Sequence, residues 1–232
     1  MDSNFNVIDK HDFDLFERAP KRYLGIEDVK LFEHKGVVHF LGTEQDPITE
    51  KLRVGTGPYS VETKDRSLTS IICKSPKNRD CEKNWCYFAP DKQGDLRVLY
   101  DWSNLSIGHV SDGAYVEDST DGTVPSFFKH LRGSTNGVLV DDEIWFLTHM
   151  VEYSSPRNYY HIIIILDRNT MKYKRNSTLF KFENTCIEYC LGMVVEQKRI
   201  IFSYSKMDRE SNVSIYDRPS IDGFLFDKSE QK

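Results

Sequence analysis

The sequence lacks long apolar runs. In 232 residues the longest such stretch is the strand-sized Ile162–Leu166, far short of the roughly 18–20 residues that a membrane helix needs. The start, Met1-Asp-Ser-Asn-Phe-Asn6, has neither a basic n-region nor an apolar h-region, so no secretion signal is expected and a cytoplasmic, membrane-free protein is. A basic excess is also missing. Lys and Arg total 31 against 36 for Asp and Glu, a net charge of −5, which argues against nucleic acid as a partner because phosphate binding draws on surplus cations. The five cysteines (Cys73, Cys81, Cys86, Cys186, Cys190) are spaced C-x7-C-x4-C and C-x3-C. That spacing fits no zinc pattern, so reduced thiols and no metal are expected. There is no G-x-x-x-x-G-K-[ST], G-x-G-x-x-G or G-x-S-x-G, and nucleotide-loop and serine-hydrolase chemistry lose their usual support. Amphipathic helical periodicity over ten or more residues is likewise wanting.

Strand signals are abundant. Short β-branched and aromatic runs, broken by Gly, Pro, Asn and Asp, fill the chain, and 12% of residues are aromatic, a composition that suits sheets. Four times an apolar run meets a short polar turn and a second apolar run: Val29–Leu41, Trp85–Tyr100, Gly137–Leu147 and Gly192–Tyr204. The turns centre near residues 35, 93, 142 and 197, and a unit of about fifty residues built from four antiparallel strands is a β-propeller blade. An all-β propeller is the expected fold, with an irregular β-sandwich as the alternative.

The repeat also predicts a site. In an antiparallel hairpin the two ends away from the turn lie side by side, so the ends of all four hairpins should meet at one axial mouth. Those ends carry Glu27, Asp28 and Thr43 in the first hairpin, Asn84, Trp85, Asp101 and Trp102 in the second, Arg132, Gly133, Ser134 and His149 in the third, and Glu188, Tyr189, Asp208, Arg209 and Glu210 in the fourth. Paired carboxyl groups are what glycosidic-bond chemistry needs, one delivering a proton and another acting on the opposite face. Arg132 and His149 suit an anion such as phosphate, and Trp85 offers a ring on which a sugar can stack.

Several segments then resemble a known family. Gly25-Ile-Glu-Asp-Val-Lys30 is similar to the G-x-E-D-x-R segment of the β-mannoside phosphorylases and mannosidases of glycoside hydrolase family 130, with Lys30 in place of the usual Arg. Glu82-Lys-Asn-Trp85, Arg132-Gly-Ser-Thr-Asn136, Phe146-Leu-Thr-His149, Cys190-Leu-Gly-Met-Val194 and Ser203–Asp208 resemble further family elements in the same order. The resemblance implies a five-bladed propeller spanning residues 1–232, with residues 1–21 as the remnant of an incomplete first blade and 218–232 as a polar tail. It implies an inverting enzyme of hydrolysis, phosphorolysis or transfer on a β-mannoside-like oligosaccharide, with Asp28 as proton donor beside Glu27. Arg132 and His149 would lie near the phosphate or water, and Asp208 and Glu188 would bind sugar hydroxyls. Inorganic phosphate is then a possible co-substrate and no other cofactor is expected. Open blade edges allow an oligomer. The alternative is a non-catalytic propeller that binds a glycan or a protein.

Overall fold

The computed structural model describes residues 6–8, 10, 25–59, 70–91 and 94–226. Each expected hairpin forms, and each seeds one antiparallel sheet. The first sheet holds β1 (Glu27–His34), β2 (Val37–Gln45), β3 (Leu52–Tyr59) and β4 (Ile71–Ile72). Its opening turn falls on Lys35 and Gly36, both with positive φ, the two-residue geometry whose twist matches the flanking strands. The second sheet comprises β5 (Cys86–Phe88), β6 (Arg97–Asp101), β7 (Ser106–Ser111) and β8 (Ala114–Ser119).

The third sheet has an interrupted inner strand. Both β9 (Arg132–Gly133) and β10 (Val138–Val140) pair with β11 (Glu143–Glu152), which is followed by β12 (Asn158–Asp167) and β13 (Tyr173–Asn176). Across the break, the backbone N–H groups of Ser134 and Thr135 both donate to Leu147 O. The fourth sheet holds β14 (Glu188–Val195), β15 (Arg199–Lys206) and β16 (Glu210–Asp217).

Apolar faces join the sheets in ring order. Leu41, Val54, Trp85 and Tyr100 form the core between the first and second sheets. Phe88, Leu99, Phe146 and Ile164 lie between the second and third, and Trp145, Ile163, Ile165 and Phe202 between the third and fourth. The run Ile162–Leu166 is buried residue by residue, because β12 has a neighbouring sheet on each face and alternation gives way to continuous hydrophobicity. Strands β1 and β14 touch and close the ring. Asn136 ties three sheets together: its amide accepts from Tyr87 N at 2.8 Å and donates to Leu31 O at 3.2 Å.

Two expectations are corrected. The described residues form four blades rather than five, because the four hairpin repeats supply one sheet each. The first of these sheets has four strands and the last has three, while the expected incomplete blade falls mostly on residues outside the described set. Of residues 1–21, only 6–8 and 10 are described, and none of these is in a strand. The segment after β16 is not simply a polar tail, since Arg218–Phe226 is a helix, α1. It buries Leu225 and sets Phe226 edge-on against Trp145 at 5.4 Å. Residues 227–232 lie outside the described set. Among the described residues no helix is long and apolar enough to cross a membrane, and all five cysteines are free.

Candidate active site

At the end of the propeller away from the hairpin turns, Asp28, Lys83, Asn84, Arg132, His149, Tyr159, Tyr189 and Asp208 line one cavity of about 110 Å³. Every blade contributes. Asp28 is carried on a bulge: Glu27 pairs with Thr43 and Lys30 with Leu41, leaving two residues of β1 opposite Gly42. A Cβ on Gly42 would come within 2.3 Å of Ile26 Cγ2 and 3.0 Å of Glu27 O, so the close approach of this loop requires glycine there. The bulge puts Asp28 at φ 54°, and two other cavity residues share that left-handed backbone, Asn84 at φ 65° and Asp208 at φ 54°. Asn and Asp tolerate this region better than other side chains, and such residues gather at functional sites.

The cavity is rich in charge. Desolvation pushes the Asp28 carboxyl above its ordinary pKa; Lys83 and Lys30 pull it back in part, and Asp208 raises it further. Lys30 is buried, its ammonium donating to Trp85 O with Cys86 Sγ at 3.9 Å. It therefore acts on Asp28 as a charge beneath the cavity and does not line it.

His149 is 2% exposed; its Nδ1 lies 2.8 Å from Ser134 Oγ, its ring stacks on Tyr159 at 5.7 Å, and it meets Tyr189 edge-on at 5.1 Å. Burial, reinforced by His161, Arg132, Lys30 and Lys83, drives its pKa well below 6.5. At neutral pH it is an uncharged imidazole, which can offer a ligand a hydrogen bond but no countercharge. Arg132 sits opposite His149 in the ladder, and its guanidinium donates to Tyr153 OH and lies over that ring. Tyr189 OH donates to Asn84 Oδ1 at 3.1 Å, linking the fourth blade to the second.

The other expected residues lie elsewhere. Glu27 is mostly exposed and does not line the cavity; burial and the neighbouring Asp28 raise its pKa, against the pull of Lys83. Trp85 is 1% exposed, packed edge-on against Tyr100 in the core, so its ring offers no sugar platform. Asp101 caps a 3-10 turn (Trp102–Asn104) and holds Lys77 at 2.7 Å and Arg79 at 3.3 Å. Burial pushes its pKa up, but hydrogen bonds from Lys77 and Ser103 outweigh that and bring it down to about 2. Gly133 contributes backbone: a Cβ there would lie 2.4 Å from Asn84 O. Ser134 is buried beneath His149. Glu188 is fully buried and accepts from Phe182 N, Glu183 N, Thr185 N and Thr185 Oγ1 at 2.6–3.1 Å, so it holds a loop and not a ligand.

Lys83 and Tyr159 are cavity residues outside the expected set, Lys83 being the sequence neighbour of Asn84. Tyr189 shares the end of the fourth hairpin with Glu188, and strand alternation sends only one of that pair to the cavity.

The fold and the cavity together define a β-propeller with two acidic residues, two cations and a neutral imidazole at its axial mouth. No family model matches the sequence, and no curated protein matches it. Solved structures do match in fold. MPT-1, a GDP-Man-dependent mannosyltransferase from Leishmania mexicana, aligns with a TM-score of 0.60 and 11% identity over 83% of this chain and 68% of its own. A β-1,2-mannobiose phosphorylase from Listeria innocua aligns at 0.58 and 16% over 88% and 61%. A glycosyl hydrolase from Bacteroides ovatus aligns at 0.52 and 14% over 84% and 65%. The chain thus spans about two thirds of the length of these structures, and what it shares with them is the propeller.

Proposed function

We propose that this chain is a carbohydrate-active enzyme that cleaves or transfers a glycosidic bond of a β-mannoside-like glycan with inversion, Asp28 supplying the proton. One observation carries this reading: a carboxyl with a raised pKa shares a cavity with Lys83, Arg132, His149 and Asp208. A general acid must still hold its proton near the working pH, and desolvation moves Asp28 in that direction. Lys83 and Arg132 supply positive charge for a phosphate, or orient a water in its place. That nucleophile attacks the anomeric carbon, the bond to the leaving oxygen breaks, and the oxygen takes up a proton that originates on Asp28. With water the product is a reducing sugar; with phosphate it is a sugar 1-phosphate. Solved structures of this fold include enzymes described as acting on β-1,2-mannosidic linkages, which sets the substrate class to try first.

The test is a panel of β-mannosides and manno-oligosaccharides, with and without inorganic phosphate, assayed for reducing sugar and sugar 1-phosphate. Asp28→Asn is expected to cut turnover by about 10²–10⁴-fold while sugar binding persists. Full activity in that variant rejects Asp28 as the donor. Binding without turnover across the whole panel rejects the enzyme and leaves a glycan-binding propeller.

A further inference from the structure

Beside the Asp28 cavity, and sharing Lys83, Asn84 and Arg132 with it, lies a wider chamber of about 410 Å³. The smaller cavity has room for a few waters or one small anion, at roughly 30 Å³ per water. The chamber falls within the roughly 300–1,000 Å³ of small-molecule sites, so it is where the bulk of a ligand fits.

Its charge runs against that of the protein. The whole chain carries −5, yet the chamber is lined by four basic side chains, Arg79, Lys83, Lys129 and Arg132, against two acids. Both acids are already engaged. Glu82, 2% exposed, accepts from Ser75 Oγ at 2.6 Å and Tyr100 OH at 3.2 Å. Asp101 is shared between Lys77 and Arg79, one carboxylate for two cations.

The chamber also lacks the open aromatic face on which a neutral sugar would stack. Trp102 is buried with Phe128 and Phe146 against its ring, and Tyr100 is buried with Lys77 at 5.3 Å and Arg79 at 5.9 Å from its ring centre. Cations stand where a stacking surface would be. A water-filled recess with surplus, partly shielded positive charge attracts an anion more strongly than bulk-exposed charges do, and Arg presents the planar donor fork that phosphate and carboxylate share.

We propose that this chamber binds an anionic substituent, phosphoryl or carboxylate, on the part of the ligand beyond the bond at Asp28, so that the ligand is an acidic sugar rather than a neutral oligosaccharide. The proposal rests on reading the Asp28 cavity as the reaction site, and its test is a binding measurement that needs no turnover. Calorimetric titration of the full chain would compare mannose, mannose 1-phosphate, mannose 6-phosphate, mannuronate and inorganic phosphate, with the wild type and the double variant Arg79→Gln/Lys129→Gln. The wild type is expected to bind a charged sugar at least about tenfold more tightly than mannose, and the double variant to lose that preference while binding inorganic phosphate within about twofold of wild type. Preference for the two phosphates or for mannuronate identifies which anion the chamber takes. Equal or undetectable binding of charged and neutral sugars by the wild type overturns the proposal. So does a preference that survives in the double variant, or a parallel loss of inorganic phosphate, which would place these cations' effect in the smaller cavity. If Asp28→Asn keeps full turnover while the preference holds, the chamber stands and the assignment of Asp28 falls.

Discussion

Glu188 on β14 and Asp28 on β1 are acids on adjoining inner strands, and the fold treats them in opposite ways. Around Glu188, the loop 182–185 turns three backbone N–H groups and a hydroxyl onto one fully buried carboxylate. Around Asp28 the backbone is left-handed, and the carboxyl is governed first by burial, which raises its pKa, and then by charges: Lys83 and Lys30 of one sign, Asp208 of the other. A carboxylate with its hydrogen bonds satisfied has its free energy committed to the fold. One held half-buried among charges, its pKa raised, keeps a proton available for transfer.

The largest contrast should appear when each acid is removed. Glu188→Ala strands several buried donors at about 1–3 kcal/mol each and is expected to cost about 3–5 kcal/mol of stability in urea unfolding. Asp28→Asn should cost none. A raised carboxyl pKa in the folded state means that ionised Asp28 opposes folding once pH exceeds its ordinary value, so the neutral amide should leave the melting temperature unchanged or slightly higher at pH 7 while activity collapses. Stability losses of similar size in the two variants would break the distinction.

Much of this arrangement is legible in the sequence, and the illegible part has one physical origin. The hairpins and turns at Lys35–Gly36, Asp141–Asp142 and 196–198 follow directly from apolar runs and turn residues. So does the meeting of Asp28, Asn84, Arg132, His149 and Asp208, because antiparallel pairing alone dictates which ends are neighbours. What fails is the choice within each end. Glu27 and Asp28, Asn84 and Trp85, Glu188 and Tyr189 are sequence neighbours of which one lines the cavity. Positive φ at Asp28 and Asn84 breaks the two-residue alternation that would have chosen between them. The blade count differs for another reason: the expectation of a fifth blade comes from family resemblance, whereas the sheets among the described residues number four.

His161 extends the comparison to a base. It pairs with His149 across β11 and β12 and is fully buried against Phe180 and Phe182. Burial lowers its pKa to about 4, against the upward pull of Glu188. Because the folded value lies below the unfolded one of about 6.5, the full stability is present above pH 6.5 and is lost as pH falls toward 4, by about 3 kcal/mol. His161→Phe should remove most of that acid-side loss in unfolding curves measured at pH 5 and pH 7. An unchanged pH dependence would locate the sensitivity at His149.

A smaller effect is expected at Gly133, which belongs to neither acid and forms part of the chamber wall beside Asn84. A Cβ there would sit 2.3 Å from Cys86 Sγ and 2.4 Å from Asn84 O. Gly133→Ala must therefore displace the Asn84 backbone or its own strand, at about 1–3 kcal/mol. The same shift should weaken turnover, since Asn84 and Arg132 line the cavity. Loss of stability with unchanged kinetics would separate the wall from the site.

Asp208→Asn gives the finest test, because it alters Asp28 without touching it. Asp208 is one of the charges that raise the Asp28 pKa, and replacing it with a neutral amide removes that repulsion. With Asp28 as the proposed proton donor, its protonated form is the active one, so activity should decline as pH rises through its pKa. In the variant the alkaline limb of kcat/KM is therefore expected to move to lower pH. Asn at this position keeps a hydrogen-bonding side chain of similar shape, so a loss of sugar contact would show as a raised KM at every pH without moving the limb. A limb that stays in place or moves to higher pH means that burial alone sets Asp28, and Asp208 then belongs with Glu188 among the acids that serve the fold.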